Sequence, residues 1–411
     1  MKYNKTLFYN KDGDNMKKRI QDVDVRNKRV LLRCDFNVPV KDGVILDDSK
    51  IVASLRTIEY LVKEGAKIII LSHFGKVKTE EDKVKNTLAP VVSHLQKLID
   101  TKVIFAKQPR STYLAAKINE MNPGEIIVLE NTRFEDIPNN LESKNDIQLS
   151  MYWASLADIF CLDAFGSSHR EHASTHGVAK YLPSCIGFLV QEEVEMLDKH
   201  IIAAKRPFNI VMGGAKVEDK VDLIEALLPR CDYLLLTGGI ANSCLHTLGF
   251  NVGASLRTKD EETIKRIKNI LINNREKIMV PNDAIVGRAY DENYIEHVNI
   301  DKIAEDDIVF DIGMKTINKY KEIIDSSATV FVNGTAGKYE DMKYATGTRE
   351  LLDCITQSNA VKVVGGGDGV SAVKKFKFED KFTFLSTGGG ATLEYIINRG
   401  LPAINNIEDA N

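Results

Sequence analysis

Four short stretches in the first half of the chain carry side chains suited to holding a small anion. They are "DFN" (Asp35 to Asn37), "SHFGK" (Ser72 to Lys76), "ENTRF" (Glu130 to Phe134) and "DAFGSSHREH" (Asp163 to His172). Together they supply His73, Lys76, Arg133, His169 and Arg170, with Asp35 and Asn37 suited to hydroxyl groups; His172 is read as lining of the same edge. Arginine's planar fork matches carboxylate and phosphate oxygens, and bonds between ionised partners are the strong ones. In a chain of net charge −3 this cluster predicts a small, phosphorylated polyanion as ligand, not nucleic acid.

The second half has a different chemistry. "GGAK" (Gly213 to Lys216), "TGGIAN" (Thr237 to Asn242), "NGTAG" (Asn333 to Gly337), "GGGDG" (Gly365 to Gly369) and "STGGGA" (Ser386 to Ala391) are all glycine-rich. Glycine lets a backbone approach a ligand closely, and a following helix offers its first N–H groups to phosphate. A single such turn is explained by chain geometry alone. Five in one half predict a phosphate or nucleotide surface. The chain has no GxxxxGK[ST] and no GxGxxG after its first strand, which argues against a P-loop protein and a dinucleotide-dependent dehydrogenase.

These stretches need strands to deliver them. Apolar runs precede each one: "RVLLRC", "KIIILS", "KVIFA", "EIIVLE" and "DIFCLD" in the first half, and "FNIVM", "YLLLT", "TVFVN", "VKVVG" and "FTFLS" in the second. Helical spacing separates them, as in Ser49 to Glu64, where Ile51, Val52, Leu55, Ile58, Leu61 and Val62 share a face and Asp48 or Ser49 is the expected N-cap. Alternation of this kind gives βαβ units and mainly parallel sheets, whose ligands bind beyond the carboxyl ends of the strands. The fold class is therefore α/β, with two doubly wound parallel-sheet, Rossmann-like domains. A length of 411 residues also favours two cores over one.

The expected boundaries are an N-terminal extension at 1–15, polar and expected to be poorly ordered or loosely docked, and a first domain at 16–187. A hinge helix at 188–204, a second domain at 205–400 and a tail at 401–411 returning to the first domain complete the chain. The composition, 44% apolar and 27% charged, is that of a soluble globular protein. No apolar run approaches a membrane span, and no secretory signal opens the chain. Six scattered cysteines without a CxxC pair argue for reduced thiols in a cytoplasmic setting, not for a disulfide framework or structural zinc.

"LLRCDFNVPV", "SHFGKVKTEEDK", "LENTRF", "DAFGSSHREHAS", "GGAKVEDK", "GGGDG" and "STGGGATLE" occur in the order found in phosphoglycerate kinases, and the chain resembles that family from about Met16 to about Ala403. The resemblance implies reversible phosphoryl transfer between 1,3-bisphosphoglycerate and ADP, giving 3-phosphoglycerate and ATP with Mg²⁺, in a monomer whose hinge closes. By the same resemblance Asp35 and Asn37 would hydrogen-bond the glycerate, with Phe36, Phe74, Gly75 and Lys76 beside it. His73, Arg133 and Arg170 would hold its carboxylate and the phosphate that is not transferred. Lys50 and Lys216 would face the transferring phosphoryl group from the acid and nucleotide sides, with the N–H groups after Gly367 on the phosphates. Lys220 would reach the nucleotide phosphates, Glu340 the ribose hydroxyls and Asp368 the Mg²⁺. Gly214, Gly238, Asn333, Gly366 and Gly369 complete the implied nucleotide site.

Several positions depart from the family pattern. Lys50 and Lys76 stand where arginine is usual, Thr335 and Met314 where proline is usual, Gly369 where a hydroxyl residue is common and Thr237 where glycine is. Lysine keeps the charge and loses the fork. Two functional classes follow: a working glycolytic kinase, and a non-catalytic or weakly active relative that binds nucleotide or acid. Lys50 is predicted in the first turn of a helix, where a cation opposes the macrodipole by ~0.3–1 kcal/mol. On sequence alone its removal is expected to leave stability unchanged or slightly raised.

Overall fold

The computed structural model describes residues 16–410, so the extension expected at 1–15 lies outside the described residues. The chain divides into two compact units. The first comprises residues up to Val194 together with Gly400 onward, and the second Glu195–Arg399.

In the first unit the strands are β1 (Arg29–Cys34), a short hairpin of β2 (Val40–Lys41) and β3 (Val44–Ile45), β4 (Lys67–Leu71), β5 (Val103–Ala106), β6 (Ile126–Leu129), β7 (Ile159–Asp163) and β8 (Ser184–Ile186). Apart from the hairpin they form one sheet in the order β5-β6-β4-β1-β7-β8, and every pair in it is parallel. Helices cover parallel sheets on both faces, so central strands read as continuous apolar runs. The segment "IIVL" of β6 is buried at all four positions. The helix Ser49–Lys63 turns Ile51, Ile58 and Leu61 to the core, whereas Val52 is exposed. Its N-cap is Asp48, as expected by position, yet the Asp48 carboxylate bonds His94 Nε2 at 2.9 Å in place of the helix N–H groups. The C-terminal residues belong to this unit: Lys18 N donates to Glu408 O and Ala403 N to Ser168 O.

The second unit holds β9 (Phe208–Met212), β10 (Tyr233–Leu236), β11 (Ile278–Met279), β12 (Asp283–Arg288), β13 (Asp291–Asn299), β14 (Ile308–Ile312), β15 (Thr329–Asn333), β16 (Val361–Gly365) and β17 (Phe384–Leu385). Its main sheet is again parallel, in the order β11-β10-β9-β15-β16-β17. An antiparallel sheet, β13-β12-β14, accompanies it. The sequence pattern does not predict this addition, because no position of β13 is fully buried and its residues "DENYIEHVN" lack an apolar alternation. A small core of Leu245, Val252, Ala284, Val286, Ile300 and Ile303 lies beneath it.

Both main sheets reverse direction at one point. In the first, β1 connects toward β4 and the adjacent β7 connects the other way to β8; in the second, β9 leads to β10 and the adjacent β15 to β16. Loops leaving two neighbouring strands in opposite directions open a crevice at their carboxyl ends. Each sheet has its own crevice: in the first unit it receives the loops after β1 and β7, and in the second those after β9 and β15. Among the described residues, no helix is long and apolar enough to cross a membrane.

Candidate functional site

In the first unit the loops after β1, β4 and β6 are stitched to one another. Phe36 N donates to Ser72 Oγ at 2.9 Å, and Gly75 N to Asn37 Oδ1 at 2.9 Å. Asn131 Oδ1 accepts from Phe74 N and Arg133 N, while its amide donates to Phe74 O and Asn86 O. A Cβ on Gly75 would lie 2.2 Å from Asn86 Oδ1, and its φ of 59° is left-handed, so this position favours glycine. The stitching fixes where the charged side chains emerge.

Asp35, at the end of β1, is the hub. It is buried and accepts from Lys50 Nζ at 2.9 Å and from Asn37 N at 3.1 Å. Burial pushes its carboxyl up; His73, Lys50 and Arg33 outweigh that and bring it down to about 2. Arg133 forms an ion pair with buried Asp136 (2.8 Å), which two further donors from Ser143 hold in place. Arg170 is exposed and donates from Nε to His169 Nε2 at 3.0 Å. Burial, then Arg133, Arg33, Arg170 and His169, push His172 down to about 3, so these side chains act on one locality. His73 is held at about 3 by burial and by Arg33, Lys50 and Arg133, against the opposing pull of Asp35. It is therefore uncharged at neutral pH.

The structure thus brings together Asp35, Asn37, Lys50, His73, Gly75 and Arg133, with Phe36 and Phe74 packed in the core beneath. Lys76 is exposed and joins none of these side chains by a hydrogen bond or ion pair among the described residues. Three residues beside the cluster are not singled out by the sequence motifs: Arg33, Glu142 and Ser174. All are wholly buried. The available signal is Arg33 itself, a charge inside an apolar strand that lies between β4 and β7.

In the second unit the glycine-rich turns meet backbone to backbone. Gly213 N donates to Asn333 O, Gly214 N to Thr335 O, and Gly239 N to Gly214 O. A Cβ on Gly213 would lie 2.2 Å from Thr335 O, and one on Gly334 2.2 Å from Gly213 O. These two glycines are demanded by the fold. Gly367 and Gly390 are not: a Cβ on either would meet nothing within 4 Å, whereas Gly389, equally uncrowded, has a φ of 57° that favours glycine. Gly367 and Gly390 open the helices Gly367–Lys375 and Gly390–Asn398, leaving those N–H groups accessible to a ligand. Gly366 and Gly238 adopt left-handed φ just before and at a helix start, and Gly369 is buried against Val364.

Around these turns Lys216 is exposed and Lys220 is buried. Lys220 Nζ donates to Asn333 Oδ1, and Asn333 in turn donates to Gly365 O at 2.9 Å. Burial lowers Lys220 to about 8, with Asp368 and Asp219 opposing and Lys216 assisting. Asp368 is exposed in the first turn of its helix. Glu340 is exposed, and Lys375 Nζ grips its carbonyl and that of Tyr339, each at 2.9 Å. Among the described residues, no group of three or more histidine, cysteine, aspartate or glutamate side chains could hold a metal ion by itself.

The first unit thus offers convergent cations with hydroxyl acceptors, and the second offers open helix starts with two lysines. The first arrangement suits a small phosphorylated acid, and the second suits the phosphates of a nucleotide. Residues 20–399 match the family model described as phosphoglycerate kinase. Phosphoglycerate kinase of Macrococcus caseolyticus is 42% identical over 396 residues, covering 96% of this chain and 100% of that protein. The Listeria innocua enzyme is 41% identical over 395 residues, covering 96% of this chain and 99% of that protein. The solved phosphoglycerate kinase of Coxiella burnetii superposes with a TM-score of 0.83 at 35% identity, over 95% of this chain and 98% of that one. That of Pyrococcus horikoshii gives 0.82 at 31% identity, with the same coverage. Two parallel-sheet units with these strand ends, matched along nearly their whole length, place the chain in the phosphoglycerate kinase family.

Proposed function

We infer that the protein is a glycolytic phosphotransferase that moves a phosphoryl group reversibly between 1,3-bisphosphoglycerate and ADP, giving 3-phosphoglycerate and ATP. The observation that carries this reading is the pair of unlike strand ends, cationic in one unit and open glycine helix starts in the other, in a chain matched along nearly its whole length by that family. Phosphoryl transfer requires positioning and charge stabilisation more than covalent chemistry, because the acyl phosphate and ADP supply the reacting groups.

On this reading Asp35 and Asn37 accept from the glycerate hydroxyl, and Arg133 and Arg170 hold its anionic ends. His73, being uncharged, contributes a hydrogen bond and not a full charge. Lys50 offsets the charge spread over the transferring oxygens from the acid side, and Lys216 from the nucleotide side. The N–H groups following Gly367 receive the nucleotide phosphates, Lys220 adds a cation, and Glu340 accepts from the ribose. Asp368 suits Mg²⁺, which is commonly bound by one or two carboxylates together with phosphate oxygens; when bound, the ion neutralises charge on those oxygens. Direct transfer needs both ligands in line, so closure about the 188–204 segment belongs to the proposal, as do a cytoplasmic setting and a monomeric state.

A coupled assay with 3-phosphoglycerate and Mg·ATP tests the reading. Turnover is the expected result. Binding of both ligands without turnover would instead favour a non-catalytic relative, with Lys50 and Lys76 in place of arginines as the first positions to restore.

A further inference from the structure

Behind His73 lies a chain of buried polar groups that no acid or nucleotide contact explains. Glu142, Ser174 and Arg33 are each 0% exposed. They come from three separate segments: the loop after β6, the turn at 173–177 and β1. Glu142 Oε2 accepts from Ser174 N at 3.0 Å, and Glu142 Oε1 from Ser174 Oγ at 2.5 Å. Ser174 Oγ accepts from Arg33 Nε at 2.8 Å, and Arg33 Nη2 lies 3.2 Å from His73 Nδ1. The remaining guanidinium arm, Nη1, donates to Cys34 O.

Every hydrogen in this chain has one direction available. A guanidinium has donors and no acceptor. His73 Nδ1 must therefore present its lone pair to Arg33, and the ring proton sits on Nε2. The Ser174 oxygen is occupied by Arg33, so its own hydrogen goes to Glu142. Glu142 places a carboxylate in the same interior as Arg33, which otherwise would stand there as a poorly compensated charge.

We propose that Glu142, acting through Ser174 and Arg33, is a positioning residue that fixes His73 as the Nε2–H tautomer and holds its ring for the acid ligand. The groups facing His73 are Asp35, Arg33, Lys50 and Arg133, and those facing Glu142 are Arg33, Asp136 and His172. Arg33, in contact with Nδ1, is the group that selects the tautomer, while burial, Lys50 and Arg133 keep the ring uncharged against Asp35. The consequence for binding rests on His73 being an acid ligand, as inferred above; the tautomer itself does not.

The test is ¹⁵N NMR of the full chain with labelled histidine, His73 being assigned by a His73→Gln sample. In the parent, Nδ1 should resonate in the pyridine-type region and Nε2 in the pyrrole-type region. Ser174→Ala, and Glu142→Gln where it folds, should move both signals toward a tautomer average. KM for 3-phosphoglycerate should rise about tenfold, the scale of one hydrogen bond to a charged partner, with KM for ATP staying within about twofold. A proton on Nδ1 in the parent overturns the proposal, as does a Ser174→Ala ring identical to the parent's. A ring that shifts in Ser174→Ala while KM for 3-phosphoglycerate stays unchanged supports the tautomer assignment and removes His73 from the acid-binding residues instead.

Discussion

Replacing Lys50 by methionine keeps the stem and removes the charge, and the structure reverses the stability effect that helix electrostatics alone predicts. As a cation in the first turn of Ser49–Lys63, Lys50 opposes the macrodipole by ~0.3–1 kcal/mol. It is also the direct partner of Asp35, at 2.9 Å, with the Asp35 side chain only 10% exposed. Asp35 is brought from 3.8 to about 2 by His73, Lys50 and Arg33 against its burial. A depression of that size corresponds to roughly 2 kcal/mol of folding stability, and at neutral pH, where His73 is uncharged, Lys50 and Arg33 are the cations that supply it. Lys50 makes the direct contact, so its share exceeds the dipole penalty. Lys50→Met should lower stability at pH 7 by about 1 kcal/mol, or about 3 °C in the melting temperature of a unit this size. The folded carboxyl titrates below its unfolded value, so this contribution is complete above about pH 4 and is lost as pH falls toward 2. Denaturant titrations of parent and Lys50→Met should show a constant gap from pH 7 to pH 5 that narrows below pH 4. Turnover should fall by ~10³ or more, the scale of a cation supplied in phosphoryl transfer, while Lys50→Arg should retain it. A Lys50→Met protein as stable as the parent at pH 7, or equally active, refutes both the pairing and the role.

Other expectations follow from the same geometry. Arg133→Ala and Arg170→Ala should each raise KM for 3-phosphoglycerate at least tenfold (about one charged hydrogen bond) with ATP binding near normal; Arg133→Ala should also lose stability, because it strips an ion-pair partner from buried Asp136, whereas exposed Arg170 should not. Asp368→Ala should weaken Mg·ATP binding by calorimetry far more than 3-phosphoglycerate binding, and equal losses would mark a folding defect. Lys220 titrates near 8 when folded, below its unfolded value. Stability should therefore rise with pH between about 8 and 10.5, where the unfolded chain binds more protons. ATP phosphates favour the charged amine, so binding at pH 9 should take up a proton, seen as a buffer-dependent heat that Lys220→Met abolishes.

What the sequence determined by itself was local and chemical. Apolar runs of strand length followed by "DFN", "SHFGK" or "GGGDG" are legible because a parallel strand is buried on both faces while its carboxyl end must change character to meet a ligand. What only the tertiary structure decided was who faces whom. The pairing of Lys50 with Asp35 depends on a helix start returning to the end of β1, and it inverts the stability expectation drawn from the helix alone. Arg33 reads in sequence as one residue of a strand; its meaning comes from Ser174, 141 positions away, and from Glu142 beyond it. The same limit applies to the glycines. In sequence Gly334 and Gly367 look alike, yet one is crowded by Gly213 and the other is open. The strand β13 escaped because its positions stay at least partly exposed, so burial left no period in its residues. Periodicity records how an element meets the core. It carries no record of which distant side chain closes a hydrogen bond, since that depends on how the whole unit packs.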